Sequence, residues 1–98
     1  MIDVAQAEVE VRKLLSTKFP KSPVSRVDVE DSFDSEGQPS LSVWIVFHSR
    51  PAREEMRYAK NSLVDELRTW LTQHGDQRFP YLTFVSEQED RELQQHVS

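Results

Sequence analysis

The stretch SLSVWIVFHS, residues 40–49, decides the fold. In an extended chain successive side chains point to opposite faces, so Leu41, Val43, Ile45 and Phe47 share one face while Trp44 and Val46 share the other. The first set is the longer and marks the face that helices cover. The second set is apolar as well, which is more than a one-sided sheet requires.

Working outward, Val27 and Val29 alternate with Arg26, Asp28 and Glu30, the pattern of a strand with one wet face. DSEGQPS, residues 34–40, places Gly37 and Pro39 between the two strands, and this is hairpin chemistry with a loop longer than two residues. Beyond the opening stretch the period changes. Met56, Ala59, Leu63, Leu67, Trp70 and Leu71 lie near one line at helical spacing, predicting a single helix from about Ala52 to His74, unbroken through Asn61 and stopped by Gly75.

RFPYLTFVS, residues 78–86, is a third strand with Leu82 and Phe84 on one face and Tyr81, Thr83 and Val85 on the other. At the N-terminus, Asp3 and Gln6 form a capping-box pattern that opens a helix with the stripe Ala7, Val11, Leu14 and Leu15, running to about Lys18. Ser86 and Glu89 repeat that pattern before a short acidic helix to about Val97, which either docks through Leu93 and Val97 or frays.

The expected class is α+β: a two-layer sandwich of order α-β-β-α-β(-α), with a three-stranded mixed sheet and two amphipathic helices on one face. A right-handed crossover sets the third strand parallel beside the second, which becomes central. Residues 1–98 form a single domain, with 86–98 as its marginal helix. The expected core is Val11, Leu15, Val43, Ile45, Phe47, Leu63, Leu67, Leu82 and Phe84.

Composition narrows the function. The 98 residues carry a formal charge of −5 and no cysteine, which removes disulfides, thiolate nucleophiles and cysteine zinc sites and disfavours non-specific binding to nucleic acid or anionic lipid. The opening MIDVAQAEVE does not read as a secretory signal, and the longest apolar run, VWIVF, is far short of the ~20 residues a bilayer span needs. A cytoplasmic protein without membrane contact is expected.

Two surface features stand out. Trp44, Val46, Tyr81 and Val85 share the face turned away from the helices and make an apolar patch of interface-like composition, unless the C-terminal helix covers it. Arg50, Arg53, Arg57 and Lys60 recur at three- and four-residue spacing along one helix flank, a solvated row or a contact for phosphate or an acidic partner, with Glu54 placed to offset Arg57.

No catalytic, metal or cofactor constellation emerges. His48, His74 and His96 lack metal-ligand spacing. The acids Asp31, Asp34 and Glu36 before Gly37 fail the calcium-loop register, which would put Ser32 first and Val43 last. Two glycines cannot build a phosphate loop.

VSRVDVEDSFD (24–34), LSVWIVF (41–47) and AKNSLVDELRTWLTQHGDQRFPYLTF (59–84) together resemble ribosome-binding factor A, a family of small RNA-associated proteins of the type II KH-like class. The likeness runs over roughly residues 9 to 85. Ala59-Lys60-Asn61 stands where that family has an Ala-x-Gly at a helix kink, and Arg78 and Pro80 stand for the Arg and Pro that open its last strand. The resemblance implies the α-β-β-α-β topology and an RNA- or ribosome-associated role using the basic stripe. The residues themselves favour a small non-enzymatic interaction or regulatory module using the outer sheet face, with a protein partner or a second copy of the chain.

Overall fold

The computed structural model describes residues 2–21 and 23–97, with side chains described through Gln94. The elements are α1 (Val4–Lys18), β1 (Val24–Phe33), β2 (Pro39–Phe47), α2 (Arg50–Met56), a 3-10 turn (Arg57–Ala59), α3 (Lys60–Gln73), β3 (Phe79–Ser86) and α4 (Glu87–Val97). The fold is α+β, with one three-stranded sheet in the order β1-β2-β3. β1 and β2 pair antiparallel and β2 and β3 parallel, so the central strand is the one with two apolar faces.

Local chemistry accounts for the element ends. The Ala5 N–H donates to Asp3 Oδ1 at 2.7 Å and the Asp3 N–H to Gln6 Oε1 at 3.3 Å, closing the box that starts α1. In the β1-β2 hairpin, Asp34 Oδ1 accepts from the Glu36 and Gln38 N–H groups, and Gly37 turns the chain at φ +78°. α3 ends in a Schellman motif, where the Gly75 N–H donates to the Thr72 carbonyl at 3.0 Å and the Asp76 N–H to the Leu71 carbonyl at 2.9 Å. Gly75 takes φ +76°, a conformation an L side chain rarely adopts.

The core lies between the inner sheet face and the helices. Leu41, Val43, Ile45, Phe47 and Val27 meet Ala7, Val11 and Leu15 of α1 and Leu63, Leu67 and Leu71 of α3, while Phe84 packs at its margin with its ring 5.0 Å from that of Phe47. Of the nine residues expected in the core, eight are buried in it and Phe84 is partly buried against it.

The long helix differs from expectation. It begins two residues before Ala52, where Ser49 caps it through the Ala52 N–H and Pro51 occupies the first turn, and it is interrupted at Arg57–Ala59. The seven, three and fourteen residues of its parts would make a straight rod of about 36 Å. The nine-residue central strand spans only about 30 Å. Neither glycine nor proline falls at the break. Within the tightened turn Ala59 is buried and Tyr58 stays in solvent, and beyond it α3 buries Leu63, Leu67 and Leu71.

A buried ion pair locks one corner. Arg78 bonds both oxygens of Asp76, a carboxylate of Asp31 on β1 and the backbone carbonyl of Ile2, while the Ile2 N–H donates to Asp76 Oδ2 at 3.0 Å. The Arg78 hydrogen bonds outweigh burial and hold the Asp76 carboxyl down at about 2. Three segments distant in sequence are thereby tied: the start of α1, the end of β1 and the α3-β3 loop.

Candidate functional site

Strand register arranges the outer face in rows. Arg26, Val46 and Val85 form one row; Asp28, Trp44 and Thr83 the next; Glu30, Ser42 and Tyr81 the third; Ser32, Ser40 and Phe79 the last. α4 folds back over the first row. Val46 is 1% exposed and Val85 6%, whereas Tyr81 is 48% exposed and Trp44 is partly buried. Of the four residues expected to form the patch, Val46 and Val85 are therefore not surface. They hold the C-terminal helix, and Trp44 and Tyr81 remain for contact.

α4 has few apolar side chains to dock with, and Leu93 is 46% exposed. Its first turn is anchored by polar groups instead. Arg26 bridges Asp28 at 2.8 Å and Asp90 at 2.9 Å, Arg53 Nη1 reaches Glu89 at 3.2 Å, and Glu87 Oε1 accepts from the Ser25 hydroxyl at 2.6 Å and meets His48 Nδ1 at 3.2 Å. The expected box is closed, with Ser86 Oγ accepting from the Glu89 N–H at 3.2 Å and the Ser86 N–H donating to Glu89 Oε1 at 3.1 Å. Hydrogen bonds from Ser25 and then His48 hold the Glu87 carboxyl below its ordinary value. For Glu89 burial acts upward, but the Ser86 hydrogen bonds and the Arg53 and Arg50 charges outweigh it and lower the carboxyl. Of the expected Leu93 and Val97 anchor, Leu93 is half exposed, and the Val97 side chain, like that of His96, lies outside the described residues.

Beyond α4 the face is open and aromatic. The Phe79 and Tyr81 rings lie 4.9 Å apart, and the Arg68 guanidinium sits 5.2 Å from the Phe79 centroid at the β3 edge. Phe79 belongs to this surface although the sequence reading stopped at Tyr81; the two-residue alternation from Val85 through Tyr81 reaches it. An open groove of about 530 Å³ runs between α4 and the sheet, lined by Arg26, Asp28, Glu30, Trp44, Asp90, Leu93 and Gln94.

The basic stripe is divided. Arg50 and Arg57 are exposed, Arg57 with Glu54 at 3.6 Å; Arg53 is engaged by Glu54 and Glu89; the Lys60 ammonium lies 5.9 Å from the Phe84 centroid. His48 serves the α4 anchor, and His74 Nδ1 lies 2.8 Å from the Trp70 carbonyl. Among the described residues no group of three or more His, Asp or Glu side chains is placed to hold a metal ion, and no helix is long and apolar enough to cross a membrane.

Fold and site together define an α+β sandwich whose helices leave an aromatic, acid-rimmed sheet face open at one end. Compared with known proteins, the chain matches no family model, and no curated protein or solved structure matches it significantly.

Proposed function

We propose that this chain is a small non-enzymatic interaction or regulatory module that docks a protein partner, or a second copy of itself, on the open part of its outer sheet face. One observation carries the reading: Tyr81 is exposed and Trp44 and Phe79 are only partly buried on the same face where α4 buries Val46 and Val85. Rigid aromatic side chains supply large contact area at low ordering cost and dominate interface energetics. A cytoplasmic setting fits a chain without cysteine.

The test is the double substitution Trp44→Ser, Tyr81→Ser. Association, followed by sedimentation of the purified protein and by recovery of its partner from native cells, should weaken by about thirtyfold or more, since an aromatic anchor contributes about 2 kcal/mol or more. Stability in urea should fall by no more than about 2 kcal/mol, because Tyr81 is exposed and Trp44, beside α4, is only partly buried outside the main core. Unchanged association at native stability would overturn the reading.

A second reading, RNA or ribosome association as in ribosome-binding factor A, draws support from the helix break, which ends at Ala59, where the resemblance places a kink. It relies on Arg50 and Arg57, the two exposed cations of the stripe. Reversing both to Glu should then abolish RNA binding that falls steeply with salt. No detectable binding of native RNA at low salt removes it.

A further inference from the structure

We infer that the groove between α4 and the sheet receives an arginine of a basic segment on a partner protein; this rests on the docking reading and names the chemistry of the partner. The groove has one guanidinium, Arg26, against three carboxylates, Asp28, Asp90 and Glu30. Arg26 is shared between Asp28 and Asp90, so two carboxylates divide one cation, and among the described residues Glu30 has no ion-pair partner. The lining is therefore short of positive charge, on a chain already at −5.

Its floor is an indole. Trp44 lies directly across the strand pair from Asp28, and Glu30 is one row further along the same face. A flat aromatic surface flanked by carboxylates suits a planar cation that stacks on a ring while its N–H groups bond an oxyanion edge-on. Arginine meets both demands. Lysine presents a compact, strongly hydrated charge that stacks less well.

Phosphate-bearing ligands are repelled by the same three carboxylates. The aliphatic part of the groove, one flank of Leu93, suits the methylene stem of an arginine side chain. A second copy of this chain is a poorer source of the cation, because it carries the same net charge of −5 and Arg53 is already engaged by Glu54 and Glu89.

The probe is a hexa-arginine peptide titrated into the intact protein, with hexalysine and hexaglutamate as controls, read by amide and indole NMR shifts and by calorimetry. Saturable hexa-arginine binding is expected, with shifts centred on Glu30, Ser42, the Trp44 indole N–H and Leu93. Affinity should fall about tenfold in Trp44→Ala and at least threefold in Glu30→Gln and with hexalysine. Glu30 is exposed, so its substitution keeps the test valid if Trp44→Ala unfolds.

Several outcomes would overturn the inference: no saturable binding, shifts spread over other acidic surface such as Glu8, Glu10 and Glu36, or equal affinity in Glu30→Gln. If Trp44→Ser, Tyr81→Ser still abolishes association while hexa-arginine fails to bind, only the arginine assignment falls. Hexaglutamate binding in the groove, or concentration-dependent shifts there without peptide, would replace it with an anionic partner or a second copy.

Discussion

The two ends of the outer sheet face are built alike and end differently. At one end Val46 and Val85 lie beneath α4, almost fully removed from water. At the other, Tyr81 and Phe79 of β3 lie with their rings 4.9 Å apart, Tyr81 exposed and Phe79 partly so. What separates them is where α4 is fastened, and the fasteners are charges in its first turn: Glu87, Glu89 and Asp90. Burial on this face follows the polar anchoring of α4, and the end with the two aromatic rings of β3 is the one left open. An apolar surface that the protein's own helix stops short of covering is one available to another molecule.

The frame beneath both ends sets the largest effect. Removing Arg78 would strand the Asp76 carboxylate, whose side chain is 0% exposed, without its cation. Arg78→Met should therefore cost about 3 to 5 kcal/mol in urea denaturation and loosen both ends together. A loss under 1 kcal/mol would mean that this corner does not hold the frame.

Acid probes the same corner. The Asp76 carboxyl is lowered from 3.8 to about 2 in the folded chain, so its contribution is complete above 3.8 and is lost as pH falls toward 2. The loss should be about 2 kcal/mol across that window. In Asp76→Asn the added acid sensitivity of this window should disappear, which denaturation at stepped pH would detect.

The covered end is next. Val46→Ala removes buried methyl groups and leaves a cavity under α4, and should cost about 2 kcal/mol. Amide exchange should show α4 opening at lower free energy than α1 or α3, because it is held by few apolar contacts. If Val46→Ala proves neutral, α4 is not seated where the structure has it.

The smallest effect belongs to the open end, where Tyr81→Ser should change stability by less than about 0.5 kcal/mol. Arg53→Ala sits between the two, at up to about 1 kcal/mol, since its pairs with Glu54 and Glu89 are partly solvated.

Most of the fold was legible in periodicity. The alternation through Leu41, Val43, Ile45 and Phe47 identified the inner face, and both capping boxes stood at their expected residues. The break at Arg57–Ala59 was not legible, because no glycine or proline marks it and the apolar positions Met56, Ala59 and Leu63 keep helical spacing through it. The fate of Val46 and Val85 was hidden for a different reason. It depends on Arg26 meeting Asp90 across 64 residues and on Arg53 meeting Glu89 across 36, polar contacts that no local pattern encodes. Arg78 reads locally only as the opening of the third strand and Asp76 as a residue between elements, and the returning chain at Ile2 and Asp31 shows them as a clasp.

Hydroxyl-radical footprinting of the aromatic side chains, on the isolated protein and on the same protein in its native assembly, tests the central claim most directly. Tyr58 and Phe33, at 80% and 73% exposure, serve as internal references away from the face. The account predicts that Trp44, Phe79 and Tyr81 are oxidised in the isolated protein and protected in the assembly, while Tyr58 and Phe33 react equally in both. Unchanged oxidation of Trp44 and Tyr81 on assembly, with protection falling on Tyr58 instead, would contradict it and move the docking surface to the basic flank of α2.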